Sequence, residues 1–423
     1  MKAGGHQPAQ SGGRWTMADA ERYLLGLELF GMRFGLDRMR RLLTTLEQPQ
    51  ERYPAIHVVG TNGKSSTVRM AAAILERHGL RTGAYLSPHL VSFTERVRVA
   101  DTDIEAERFA AAVQQAAHAA SLVDRTLGHD DRVTQFEALT AAALTELAAQ
   151  EVDAAVIEAG LGGRWDATNV LPSTVQVLTN VGLEHTRWLG PTIADIAVEK
   201  VDVVRPGGTL VIGPDLHPDA RAAAERVVAE REALLVEARV EDAPEMPGYQ
   251  RRNFAVARAA AEAFLGELDP DAVADAAEHT TVPGRMQHVD EQLVLDGAHN
   301  AAGMEALAAS LPSFAGERRL VAVISILEDK DAAEMLRVLL PHCDDVVFCK
   351  AASPRALSPA TLASLGAQVG GVRGTVTVER DVNDAVALAR DLAGRDGVVL
   401  VTGSIYLVGD LLRPRDAGPG ATL

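Results

Sequence analysis

Along the chain, short apolar runs alternate with longer stretches in which apolar residues recur every three or four positions. The clearest case is Ile56, Val58 and Val59, stopped at Gly60 and followed after Lys64 by Val68, Met70, Ala71, Ile74 and Leu75. That order predicts a strand, a tight glycine turn and a helix start. Further strands are predicted at 82–86, 154–157, 175–179 and 209–212, with helices at 104–120, 136–149 and 192–204. An earlier helical pattern over 18–46 is broken at Gly31 and Gly35. Strands alternating with helices imply a parallel sheet covered on both faces, hence the α/β class. The pattern pauses near Pro283-Gly284 and restarts, with strands at 293–295, 320–324, 346–348, 376–378 and 398–401. The expected organisation is a disordered tail over 1–16, a large α/β domain over 17–283 and a smaller one over 284–423.

Composition narrows the class. At 423 residues, 47% hydrophobic and 23% charged, the chain can bury a large core. A formal net charge of −17 argues against a nucleic-acid or anionic-membrane surface, either of which needs a basic stripe. No apolar run is long enough to span a bilayer, and the start MKAGGHQPAQSGG lacks the hydrophobic core of a signal peptide, so the cytoplasm is the expected compartment. Cys343 and Cys349 sit in or near one predicted strand and read as buried thiols. Arg38, Arg40 and Arg41 read as a solvated helix face.

Candidate chemistry begins at Gly60-Thr61-Asn62-Gly63-Lys64-Ser65. Glycines let backbone N–H groups converge, the helix N-terminus adds partial positive charge and the lysine a whole one, which together cradle phosphate. The strict G-x-x-x-x-G-K-[ST] spacing is not met, because Val58 stands where its first glycine belongs. An ordinary glycine turn is the plain alternative. Glu158 closes a buried strand, where a carboxylate needs a cation or donors. Two more strand ends carry Ser87-Pro88-His89 and Glu184-His185, at the edge where parallel sheets bind ligands.

Several blocks stand in one order: GLDRMRRLL at Gly35, GTNGKSST at Gly60, SPHLVSFTERVRV at Ser87, TQFEALTAAAL at Thr134 and EAGLGGRWDATNV at Glu158. GLEHTRWLG at Gly182, EK at Glu199, PGRMQ at Pro283, DGAHN at Asp296, EDKD at Glu328 and GSIYLVG at Gly403 follow. Together they resemble the folylpolyglutamate synthase and dihydrofolate synthase family, the two-domain branch of the Mur-type ATP-dependent amide ligases. The resemblance implies a P-loop-type parallel-sheet ATPase domain followed by a smaller Rossmann-like α/β glutamate-ligase domain. It implies a reaction in which ATP phosphorylates a carboxylate and the amine of glutamate displaces the phosphate. A carboxylate is a poor electrophile, and bringing two anions together requires cations.

By the same resemblance, Ser87, Glu158 and His185 hold Mg²⁺, with two ions implied, and Lys64 with the amides of Thr61, Asn62, Gly63, Ser65 and Ser66 holds the phosphates of ATP. On the residues alone, His185 reads as a capping or core histidine. Lys200 matches a lysine that the family carbamylates; its plain reading is a snorkelling lysine on an amphipathic helix. Gln250, Asn253, Arg285 and Asp296 match nucleotide contacts, His299 follows as a catalytic candidate, and Phe136 and Asp166 match pterin contacts. Phe136 is equally readable as core. The implied partners are small molecules, dihydropteroate or a reduced folate and L-glutamate, bound by a monomer.

Three positions depart from the family pattern: Ser65 follows Lys64 in place of glycine, Glu184 replaces an aspartate, and Val201-Asp202 replaces Ala-Gly. They leave room for a paralogue that joins an amino acid to a non-folate acid. A cell-wall Mur ligase would carry a sizeable domain before its P-loop, and Gly60 comes early for that. A nucleotide-hydrolysing switch would need a guanine-reading Asn-Lys-x-Asp, and Val181 follows Asn180.

Overall fold

The computed structural model describes residues 13–27, 35–128 and 131–413. The first twelve residues of the expected tail and the predicted break at Gly31 lie outside the described residues. Eight strands make the first sheet: β1 (Ala55–Val59), β2 (Thr82–Tyr85), β3 (Val97–Val99), β4 (Thr102–Asp103), β5 (Ala154–Glu158), β6 (Val175–Leu178), β7 (Thr209–Ile212) and β8 (Leu234–Glu237). They lie in the order β4-β3-β2-β5-β1-β6-β7-β8. From β2 to β8 all neighbours are parallel, while β3 and β4 add an antiparallel edge.

Every residue of β1, β2, β5 and β6 is buried, because helices cover both faces. On one face the helix Lys64–Arg77 packs against Tyr249–Leu265, with Ile56, Val58, Ile74 and Phe254 in the core between them and the sheet. On the other, Ala106–Asp124 and Gln135–Ala149 bury Tyr85, Phe109 and Leu144. The second of these starts at a reciprocal cap in which Thr134 and Glu137 satisfy each other's backbone N–H. β3, β4 and β8 correspond to no predicted strand, since short edge strands lack the continuous apolar run of a buried one.

After the helix Pro270–His279 the chain enters a six-stranded sheet: β9 (Gln287–His288), β10 (Leu293–Leu295), β11 (Leu320–Ile324), β12 (Asp345–Phe348), β13 (Val376–Val378) and β14 (Val398–Thr402). Its order is β13-β12-β11-β14-β10-β9, parallel except for β9. Among the described residues no helix is long and apolar enough to cross a membrane.

Two local expectations change and the others hold. Residues at the end of the expected tail are ordered: Trp15 N–H donates to Gln114 at 3.1 Å, and Thr16 caps the helix Met17–Gly26. Arg38 is buried, not solvated. It lies on the inner side of Asp37–Thr45 and donates to both oxygens of Glu137, at 3.1 and 3.2 Å, which is what lets a guanidinium sit beside Met39 and Leu42. Arg40 and Arg41 are exposed as expected. Cys343 and Cys349 are free, buried thiols, each pushed up to about 12 by burial.

Candidate active site

The glycine turn joins β1 to the helix Lys64–Arg77. Gly60 has φ +154, and a Cβ there would stand 1.8 Å from Thr179 Oγ1; at Gly63, φ +82, it would stand 2.5 Å from Asn253 Oδ1. Both positions therefore require glycine. The amides of Thr61 and Asn62 donate to Asn180, at 3.0 Å to its carbonyl and 2.9 Å to its side chain. These two amides, assigned to phosphate by the resemblance, are turned inward to Asn180. Those of Gly63, Lys64, Ser65 and Ser66 begin the helix, where N–H groups lack intrahelical acceptors. Ser66 Oγ is buried and has no hydrogen-bond partner among the described residues, which marks a group able to donate to a bound acceptor. Lys64 Nζ folds back over the turn, donating to the carbonyls of Gly60 at 3.1 Å and Thr61 at 3.2 Å.

Glu158, 1% exposed, ends β5 beside this turn. Its carboxylate accepts from Ser65 Oγ at 2.9 Å and from Ser87 N–H at 3.1 Å. Burial raises its pKa, and the Lys64 ammonium opposes that rise. His185 shares a cleft with Gly60, Lys64, Gly160 and Lys200. Desolvation lowers its pKa against the pull of Glu184, so the ring tends to be neutral and keeps a lone pair to offer. Glu158 and His185 thus both face Lys64 electrostatically, although no hydrogen bond joins them among the described residues. The structure brings Ser87 and Glu158 into direct contact and sets His185 across the lysine.

Among the described residues no group of three or more His, Cys, Asp or Glu side chains is by itself arranged to hold a metal ion. A metal here would take one carboxylate, a hydroxyl and an imidazole, leaving positions for phosphate oxygens and water. The carboxylate and hydroxyl oxygens fit a hard divalent cation such as Mg²⁺, while the imidazole is a less usual ligand for that ion and more common on a transition metal.

Lys200 is 4% exposed, and its Nζ donates to Gly60 O at 2.8 Å. Burial, aided by Lys64, brings its pKa down to about 7. The departure that follows it is absorbed locally: Val201 is buried and Asp202 pairs with Arg231 at 2.9 Å. Phe136 stacks on Gly160, where a Cβ would stand 2.5 Å from the ring. Asp166 is buried and accepts from Leu161 N–H at 2.8 Å and Thr168 N–H at 3.0 Å. Thr168 in turn meets His57 Nε2 at 2.7 Å. The Asp166 carboxylate is therefore committed to shaping the loop after β5.

The second sheet closes the cleft. Gln250 Nε2 donates to Arg285 O at 3.0 Å and Asn253 Nδ2 to Gln250 Oε1 at 3.2 Å. The Arg285 guanidinium lies over Gly297, whose missing Cβ would be 2.2 Å from Nη1. Asp296 is buried, its pKa raised by burial, and it accepts from Met286 N–H at 2.9 Å, Ala298 N–H at 2.8 Å and the Tyr249 hydroxyl. His299 Nδ1 contacts Gly297 O at 2.8 Å. Asn62 and Asn300 exchange reciprocal amide hydrogen bonds of 3.2 and 3.0 Å between the two sheets.

Glu184 meets a lysine and two imidazoles in the cleft. Its Oε1 lies 3.0 Å from Lys330 Nζ, 3.8 Å from His299 Nε2 and 3.9 Å from His185 Nε2. Burial alone would raise its pKa, but these neighbours hold the carboxyl below the ordinary range. Asn180, Glu184, Asn300 and Lys330 were not predicted as site residues. Glu184, Asn300 and Lys330 stand in motif blocks and Asn180 between two of them, but nothing local says that Glu184 and Lys330, 146 residues apart, will meet.

Residues 284–405 match the family model of the Mur ligase glutamate ligase domain. The chain is 34% identical to a Mycobacterium tuberculosis dihydrofolate synthase/folylpolyglutamate synthase, over 88% of each chain. A solved Escherichia coli FolC with DHPP and ADP is 30% identical, with a TM-score of 0.84 over 94% of this chain and 97% of that one. A solved bifunctional folylpolyglutamate synthase/dihydrofolate synthase with Mn, AMPPNP and L-glutamate bound is 29% identical, with a TM-score of 0.82 over 96% and 99%. With that likeness running through both sheets and the cleft between them, the chain belongs to the folylpolyglutamate synthase/dihydrofolate synthase family.

Proposed function

We propose that this protein is a cytoplasmic ATP-dependent ligase that joins L-glutamate to the carboxylate of dihydropteroate or a reduced folate through an acyl phosphate. The observation that carries this reading is the convergence of Lys64, Glu158 and His185 beside the ends of parallel strands with Lys200 from the helix Ile193–Val201, faced by Arg285, His299 and Lys330 from the second sheet. Residues 17–283 supply the nucleotide side and 284–423 the glutamate side. The acceptor's carboxylate oxygen attacks the γ-phosphorus of ATP and ADP leaves. The glutamate amine then attacks the acyl carbon, loses a proton, and the C–O bond to phosphate breaks to give amide and phosphate.

Each group has a part in that sequence. Lys64 neutralises charge on the phosphates, the amides of Gly63 to Ser66 point at them, and the orphaned Ser66 hydroxyl donates to one. Ser87, Glu158 and His185 would hold Mg²⁺, which when bound draws charge from the phosphate oxygens. Lys200, with a pKa of about 7, is neutral often enough at physiological pH to add to CO₂ and become an anionic carbamate, releasing a proton. Gln250, Asn253, Arg285 and Asp296 with its loop frame the nucleotide, and Phe136 and the loop held by Asp166 frame the acceptor ring. His299 lies beside Glu184, placed to take the proton that the amine sheds. A closed crevice keeps water from the acyl phosphate.

With Mg-ATP and glutamate, the purified protein is expected to release phosphate only when dihydropteroate or tetrahydrofolate is present, and to yield a product one glutamyl unit heavier by mass spectrometry. Phosphate release without a pterin, or coupling only to an unrelated acid, overturns the assignment.

A further inference from the structure

Arg69 lies one turn beyond Ser65 on the helix Lys64–Arg77, so the two side chains share a face. Although partly buried, it makes no hydrogen bond or ion pair among the described residues. The carboxylates around it are engaged elsewhere. Asp101 and Asp103 pair with Arg98, and Glu95 accepts from the backbone N–H groups of Leu90, Val91 and Ser92 at 2.8, 2.7 and 2.6 Å. Arg69 lines a crevice between the two sheets with Ser65, Leu90, Glu95, Arg285 and Ile405.

Two arginines therefore line one crevice whose lining carboxylate has its oxygens occupied, in a protein of net charge −17. Partial burial sharpens the demand for an anion, because a desolvated cation without a partner is unfavourable. The chemistry matches carboxylate, which the planar guanidinium fork grips by two N–H donors. The free room is about 40 Å³, enough for a carboxylate and a bound water but not for a bicyclic ring.

We propose that Arg69 binds a carboxylate of the acceptor other than the one that reacts, namely one belonging to a glutamyl unit already attached. This rests on the ligase reading above. Dihydropteroate offers a single carboxylate, which is consumed in the reaction, whereas tetrahydrofolate brings a glutamyl unit with two. Arg69 thus serves the second and later additions and is idle in the first.

The test compares Arg69→Ala and Arg69→Gln with wild type, using dihydropteroate and tetrahydrofolate as acceptors and measuring the KM for glutamate separately. The expected result is a rise in KM for tetrahydrofolate of about tenfold or more, as loss of a charge-assisted hydrogen bond gives. Turnover of dihydropteroate and the KM for glutamate stay near wild type, which also shows that the variants fold. Equal loss with both acceptors in both variants, no change with either, or an effect confined to the glutamate KM overturns the assignment. A wild type inactive with both acceptors overturns the ligase reading itself, and one active only with dihydropteroate overturns the role of Arg69 alone.

Discussion

At the scale of single residues, burial decides the charge of Lys200. The fold holds this amine neutral down to about pH 7, whereas the unfolded chain protonates it below 10.5. Its burial therefore weighs against folding at any pH below 10.5 and does so fully once the pH falls below about 7. Lys200→Met in carbonate-free buffer should abolish turnover yet raise thermal stability, by on the order of 1 kcal/mol or more at neutral pH. The gain should be larger at pH 6 than at pH 9 in melting curves, and a loss of stability at pH 6 would contradict this account. Lys200 was legible as a candidate by its motif, but its depressed pKa was not, because desolvation depends on what packs over the amine.

At the scale of elements, glycine contacts fix the cleft. A Cβ at Gly163 would stand 2.5 Å from Lys200 O and 2.7 Å from Glu199 O, both backbone atoms at the end of the helix Ile193–Val201. Gly163→Ala must push the loop after β5 away from that helix. It should lower stability by about 1–3 kcal/mol and reduce kcat more than it raises the KM for ATP, measured by melting and steady-state kinetics. Gly26→Ala, with nothing within 4 Å, is the neutral control. The elements that carry the site were legible, since buried strands announce themselves as apolar runs and the P-loop helix by its period. The edges β4, β8 and β9 were not, because their exposed strands of two to four residues leave no such run, and neither was β3, whose three residues set Arg98 between buried Val97 and Val99.

At the scale of the whole molecule, the polar links that span the two sheets include the Asn62–Asn300 amide pair and the Glu184–Lys330 ion pair. Glu184 and Lys330 side chains are each 13% exposed, so solvent screens the pair weakly. Glu184→Gln and Lys330→Met should each reduce kcat/KM for glutamate, and the double variant should lose less than the sum. A coupling of about 1.5–3 kcal/mol in this double-mutant cycle is expected for a charged hydrogen bond of this burial. Strict additivity would show that the pair does not act as a unit.

The amino-acid sequence by itself determined the α/β class and the strand ends near which Lys64, Ser87, Glu158 and His185 sit, because local periodicity and turn chemistry act over a few residues. Tertiary structure alone decided that Arg38 is buried, that Thr61 and Asn62 turn their amides to Asn180, that Asp166 and Asp296 spend their oxygens on neighbouring loops, and that Glu184 meets Lys330 and His299 from the second sheet. The reason is physical. Burial and long-range pairing are set by which elements pack together, and residues far apart in the chain carry no mark of the neighbours they will meet.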